Sequence, residues 1–297
     1  MKKKHRRLLR NILFVVVILG AAWIVFAPKP KHHHRAPHQV EVQQPTLPAP
    51  PLGDEITQPP VPPSETPHPV LPVKTQARIA LVIDDGGLDM RDSRRAVALP
   101  AAVTLSYIPY ATRLREQTRE AHGVGHELML HMPMEPMGSA DPGPGALTLD
   151  LSPDEIRRRL DTAMASFTGY DGMNNHMGSK FTADRAAMNL VMEEMQPRHI
   201  FFLDSRTSAQ SVGAEVAAQH GVPTLSRDVF LDDDMSPRAV RAQLEQTERV
   251  ARRKGFAIAI GHPHPATLQA LEEWIPDAEQ RGFVFVPIKD LVNQASP

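Results

Sequence analysis

An α/β fold built on a parallel sheet is what this chain of 297 residues predicts. Three observations carry that reading. From about residue 75 onward, short apolar runs alternate with longer amphipathic stretches. The apolar runs are largely continuous, as in strands buried on both faces. Seven or eight such repeats suit either a closed barrel or an open, doubly wound sheet. No glycine-rich phosphate fingerprint follows any of the runs, which leaves a nucleotide-binding fold without support.

The strands are expected at RIALVID (78–84), AVTLSYI (102–108), HELMLHM (126–132), HIFFLDS (199–205), PTLSRDVFL (223–231), FAIAIGH (256–262) and GFVFVPI (282–288), with a weaker signal at GMNNHM (172–177). Helices are expected near 91–99, 110–122, 153–167, 183–195, 211–220, 237–254 and 266–281. Ser152 followed by Pro153 and Glu155 is an N-cap, a proline in the first turn and a capping-box acid. Ser236 and Pro237 repeat the device, and Thr182 is a further cap candidate. Gly123, Gly221, Gly255 and Gly282 stand where helices should stop.

Ahead of this domain (75–297) the texture differs. Residues 1–11 are strongly basic, and residues 12–27, ILFVVVILGAAWIVFA, are apolar. As a helix that run rises roughly 24 Å, short of a ~30 Å hydrocarbon core, but flanking Arg10 and Lys29 extend the reach by snorkelling. An uncleaved transmembrane anchor is expected, with the basic end in the cytoplasm and the C-terminal domain on the periplasmic side of the inner membrane. A cleaved signal peptide is the rival, and Pro28 directly after Ala27 weighs against cleavage there. Residues 28–74 are rich in Pro, Gln, Glu and Thr and read as a disordered spacer. The net charge of −1 gives no footprint for nucleic acid, and with no cysteine there is neither a disulfide framework nor a thiolate metal site.

Chemistry in α/β folds collects at the carboxyl ends of parallel strands. Here those ends carry Asp84 and Asp85, His131 with Glu135 beyond it, Asn174, Asn175 and His176, Asp204 and Arg206, Arg227 and Asp228, then His262 and His264. Each has a plainer reading alone: an aspartate capping the next helix, a satisfied core histidine, a structural ion pair between Asp204 and Arg206. Asp232–Asp234 read as a solvated turn. Together the strand ends favour a mononuclear metal site, because so many costly polar groups at one rim are hard to explain by packing. A carboxylate with two imidazoles suits Zn²⁺ or a similar divalent ion and hydrolytic chemistry. Adjacent carboxylates then have separate tasks, one binding the ion and one acting as general base.

The runs IALVIDDGG, LHMPMEP, GMNNHMGSKFT, FFLDSRTS and IAIGHPHPAT resemble the divergent polysaccharide deacetylases, a branch of the NodB-like carbohydrate esterases, over roughly residues 76–293. That resemblance implies an irregular (β/α)7-type barrel and an N-acetylated glycan substrate, peptidoglycan or another envelope polysaccharide. It implies Asp84 as base, Asp85 and His131 as ligands of a divalent metal, Zn²⁺ in first place, and His262 as general acid. The second motif of typical members has a histidine where this chain has Glu135, so the third ligand is either Glu135 or, preferred here, His176. Arg206 takes the role of the arginine that steadies the base, and Glu135, Asn175, Asp204 and His264 are assigned to substrate. The altered motif also leaves open a module that binds cell wall without hydrolysis.

Overall fold

The computed structural model describes residues 76–295. The expected basic terminus, transmembrane anchor and spacer (1–74) lie outside the described residues. Among the described residues, no helix is long and apolar enough to cross a membrane. The elements run β1 (Arg78–Gly86), α1 (Met90–Val97), β2 (Thr104–Tyr107), α2 (Leu114–Gly123), β3 (Leu128–Met134), α3 (Pro153–Met164), β4 (Tyr170–Met177), α4 (Arg185–Met195), β5 (Phe201–Asp204), α5 (Gly213–Gln219), β6 (Thr224–Ser226), β7 (Val229–Phe230), α6 (Pro237–Lys254), β8 (Phe256–Gly261), α7 (Pro265–Gln280), β9 (Val284–Phe285) and α8 (Ile288–Ala295).

All pairings between these strands are parallel, in the order β6-β5-β4-β3-β2-β1-β8-β7. The short β9 pairs with the first two residues of β1, below the stretch that pairs with β2. The two ends of this order, β6 and β7, are separated in sequence only by Arg227 and Asp228. Arg227 N–H donates to Asp204 O at one edge, and Asp228 N–H donates to Ile258 O near the other. Two residues of extended chain span at most about 7 Å, so the sheet must curl until its edges nearly meet. The result is a half-barrel whose seam is crossed by the chain itself. The run PTLSRDVFL, expected as one strand, is therefore two strands on opposite edges. The polar Arg-Asp pair is the crossing point.

Strand alternation divides the side chains. Ile79, Leu81 and Ile83 point outward with Leu128, Leu130 and Phe202 into the layer beneath the helices. Ala80, Val82, Met129, Leu203, Ile258 and Ile260 form the apolar interior. The lower end is plugged by α8, which buries Ile288, Leu291 and Val292 there. Burial of each such side chain is worth about 1.5–3 kcal/mol. The final apolar run, expected as a strand through Ile288, thus gives two strand residues and then this helix.

The plug is anchored by a buried acid. Glu127 accepts hydrogen bonds from Thr104 Oγ1 (2.6 Å), Ile288 N (2.7 Å) and Lys289 N (2.9 Å). Its carboxylate satisfies the otherwise free amides at the first turn of α8. Burial raises its pKa despite those bonds.

The sequence caps fall largely in place. Ser152 Oγ accepts from Glu155 N, and Ser236 Oγ accepts from Ala239 N. Thr182 does not cap α4. Asp184 accepts from Ala187 N instead, while Thr182 Oγ1 donates to Gly178 O in the preceding turn. Replacing Glu127 with Ala should lower unfolding stability by about 2–4 kcal/mol, because two helix amides and a hydroxyl lose their partner out of water. Urea midpoints of wild type and variant measure it.

Candidate metal centre and acid–base site

The interior changes character one step above Val82. The alternation that sends Ala80 and Val82 inward carries Asp84 inward too, where it is 2% exposed. The same parity takes Met129 to His131 on β3, Asn174 to His176 on β4, and Ile260 to His262 beyond β8. Asp85 should by that rule face outward. The β1–β2 register shifts between Ile83 and Gly86, and Asp85 adopts φ 57°. The irregularity turns its carboxylate back over the barrel mouth. Left-handed backbone is more tolerable for Asp than for most residues, though still costly. Neither aspartate caps α1, because Asp89 accepts from Arg91 N and Asp92 N there.

Asp85 Oδ1 lies 2.9 Å from His176 Nδ1 and 3.3 Å from His131 Nε2, and those two nitrogens are 3.2 Å apart. Asp85 Oδ1 is buried and accepts no hydrogen bond of acceptable geometry despite these close approaches. Three donor atoms facing one point, with one carboxylate oxygen left unsatisfied, fit a divalent cation. Burial raises the Asp85 pKa, but both imidazoles outweigh it and hold the carboxyl well below its usual range.

Asn174 organises this centre, although its place in a polar strand-end run suggested no particular role. Its Oδ1 lies 2.8 Å from His131 Nδ1 and accepts from Ser106 Oγ at 2.7 Å. Its Nδ2 donates to Asp84 Oδ1 (2.8 Å) and Oδ2 (3.0 Å). Because the amide nitrogen faces a carboxylate, the amide oxygen faces His131. The hydrogen-bond network therefore assigns the His131 proton to Nδ1 and leaves the Nε2 lone pair for an ion. Asp84 is 3.7 Å from His131 Nε2. Burial raises the Asp84 pKa, a trend only partly offset by His131, His262 and Asn174.

On the far wall His262 is held by Asp232, which the sequence pattern placed in a solvated turn. Asp232 Oδ1 lies 2.9 Å from His262 Nδ1, and Oδ2 accepts from His262 N (2.7 Å) and Thr267 Oγ1 (2.8 Å). Asp232 is buried, and the sequence signal that marked it was only its place after an apolar run. Nε2 of His262 faces the cavity, 4.0 Å from Asp85 Oδ2. Burial lowers the His262 pKa, but Asp232 more than reverses this and pushes it up to about 9. His264 lies near enough for Asp232, His262 and His264 to form a second acid–imidazole group. The Asp232 oxygens are already engaged with His262 and Thr267, so this group orients His262 rather than offering free ligand atoms.

Asp84, Asp85, His131, Asn175, His176, His262 and His264 thus share the wall of one cavity of about 330 Å³, together with Phe230 and Asp232. The other residues assigned from sequence lie elsewhere. Glu135 accepts from Leu149 N and pairs with Lys180, which pins the loop 137–151, so His176 and not Glu135 completes the cluster. Asp204 organises its own loop, accepting from Arg206 N, Ser211 Oγ and Ala214 N. Arg206 is exposed and lines a neighbouring groove, and Asn174 is what holds Asp84. Of the aromatic residues, Tyr107 and Phe181 are buried in the core and Trp274 packs on Phe285.

A parallel α/β half-barrel with a carboxylate–imidazole cluster beside a buried acid and a carboxylate-held histidine defines a hydrolase-like domain. The family described as divergent polysaccharide deacetylase matches residues 81–292, and the chain belongs to it. An uncharacterized protein of Haemophilus influenzae is 39% identical over 197 residues, 66% of this chain and 70% of its own. The uncharacterized protein YibQ of Escherichia coli K12 is 36% identical over 198 residues, 67% of this chain, and only 62% of YibQ's length is spanned. The crystal structure of uncharacterized protein ATU2773 from Agrobacterium tumefaciens C58 superposes with a TM-score of 0.71 at 32% identity, covering 73% of this chain and 89% of that one.

Replacing Asp232 with Asn should bring the His262 pKa down from about 9 toward the ordinary imidazole value. A one-bond ¹⁵N–¹H titration of the imidazoles reads the shift, and an unmoved His262 would contradict the pairing.

Proposed function

We propose that this domain is a metal-dependent hydrolase that removes acetyl groups from an N-acetylated envelope glycan, peptidoglycan or an exported polysaccharide. Residues 12–27 tether it to the inner membrane, and residues 28–74 let it reach the wall on the periplasmic side. The observation that carries the reading is the convergence of Asp85 Oδ1, His131 Nε2 and His176 Nδ1 beside Asp84 and His262. Family membership supports the choice of a deacetylase.

Asp85, His131 and His176 would hold the ion, with Zn²⁺ the best match to an oxygen and two imidazole donors. When bound, a divalent ion supplies Lewis-acid activation of water and of the acetamide carbonyl. The chain's own groups do the rest. Asp84, fixed by Asn174, accepts the proton from the attacking water. Its low-dielectric setting raises its basicity above that of a surface carboxylate. His262, kept protonated by Asp232, gives its Nε2 proton to the departing amine. Asn174 also holds His131 in the tautomer that presents Nε2.

Acetate release from peptidoglycan or chito-oligosaccharides in the presence of Zn²⁺ is the test. Asp84→Asn should lower kcat about 100- to 10,000-fold while metal content stays at the wild-type level. Asp85→Ala should lose both metal and turnover, and wild-type metal content in that variant would sink the ligand assignment. Asn174→Ala should weaken Zn²⁺ affinity about 10- to 100-fold, read by competition with a chromogenic chelator. Glycan binding by the wild type with no acetate released would make the domain a wall-binding module instead.

A further inference from the structure

A second groove of about 460 Å³ opens beside the cavity just described. The two share Thr207, Phe230 and Asp233, so they are adjacent. Arg206 and Arg227 line the second groove and not the first. Arg227 is held rigidly. Its Nε donates to Ser205 O (2.6 Å), its NH2 donates to Arg206 O (2.8 Å), and its guanidinium lies 4.8 Å from the centre of the Phe230 ring. The other end of this contact chain is the acid–base site, since the Phe230 and His262 rings are 5.4 Å apart.

The two arginines of the groove are not neutralised by ion pairs within it. Among the described residues, neither Arg206 nor Arg227 pairs with a carboxylate. Asp228, which also lines the groove, is committed to Lys254 and to Ile258 N. Asp233 is the one exposed acid left to face two guanidiniums. Burial and the neighbouring Arg206 charge lower the Arg227 pKa, and Asp204, Asp84 and Asp228 offset this only in part. The Arg206 guanidinium, together with the Arg227 N–H groups not used on the loop carbonyls, offers donors suited to a carboxylate or phosphate. Gln243 and Gln246 on α6 add amides to the far side, the kind of group that receives sugar hydroxyls.

We propose that this groove is a subsite for an oxyanion carried by the glycan, so that the polymer processed here is acidic, bearing a carboxylate or a phosphate on a sugar next to the acetylated one. The proposal rests on the deacetylation reading for the nature of the polymer, but its test needs no turnover. Arg227 fixes the loop and one edge of the groove, and Arg206, whose side chain is exposed, closes on the anion.

The experiment uses the full chain loaded with Zn²⁺ and carrying Asp84→Asn, so that ligands are bound and not consumed. Titration calorimetry compares three ligands with a neutral chito-oligosaccharide: an N-acetylated glycan fragment with carboxylates, the same fragment after carboxyl reduction, and a phosphorylated chito-oligosaccharide. At least one charged ligand should bind about tenfold more tightly than its neutral counterpart, and the arm that does so names the oxyanion. Adding Arg206→Asn, which suits the left-handed backbone at φ 47°, should abolish that preference. Equal affinity for charged and neutral ligands overturns the proposal, as does a preference that survives Arg206→Asn. If the wild type releases no acetate while the preference stands, the deacetylation reading fails and the anion subsite remains.

Discussion

One buried side-chain amide, Asn174, holds Asp84 and His131 in a single rigid unit. Its oxygen lies against His131 and its nitrogen donates to Asp84, while Ser106 and Ser205 fill its remaining contacts. An amide has one acceptor end and one donor end, so the two neighbours cannot exchange places. Asp84 is thereby kept an acceptor, and His131 keeps its Nδ1 proton on the amide and turns Nε2 toward Asp85. A polar group so deep in a barrel would be costly if any of its hydrogen bonds were missing. Here all of them are made, so the same network that satisfies the amide also aims the two groups that matter.

The barrel below this network is mostly apolar, from Ala80 and Val82 through Ile258 and Ile260 to the plug helix, where Glu127 is the buried acid. That floor explains the opposite behaviour of adjacent aspartates. Asp84 is enclosed just above it, and desolvation dominates, raising its pKa. Asp85, turned by the irregularity in β1, meets two imidazoles and is held ionised. Two carboxylates of the same residue type, one step apart in sequence, are thus pushed in opposite directions by their surroundings. His262 completes the division, since Asp232 keeps it cationic well above neutrality.

The curl of the sheet brings these groups to one mouth. Asp84 and Asp85 come from the middle of the sheet, His131 and His176 from β3 and β4, and His262 from the end of β8. Phe230 and Asp232 come from the last edge and the turn after it. The seam at Arg227–Asp228 sets the arginine-lined groove beside the histidine-lined cavity, because both residues of the crossing from β6 to β7 line that groove. The fold thus places the arginine-lined groove and the histidine-lined cavity side by side.

Local chemistry is legible along the chain. The Ser-Pro devices at 152 and 236 place helices that begin at Pro153 and Pro237, because a cap depends only on the next few residues. The strand-end polar residues are legible as a group, because acids and imidazoles are costly after buried apolar runs unless a site or a cap uses them. Direction is not legible. Glu135 and Asp204 stand at strand ends as Asp85 and His176 do, yet they staple loops to Leu149, Lys180, Ser211 and Ala214. Asn174 and Asp232 have the sequence context of polar turns, yet they face the site. The GMNNHM run is weak as a strand signal because its inward positions carry these polar groups. Which residue types stand at the rim therefore follows from the order of residues. Which way each one points follows from the folded molecule, because beyond the last ladder bond a side chain's direction is set by the neighbouring strand, the bulge and the partner across the barrel, all distant along the chain.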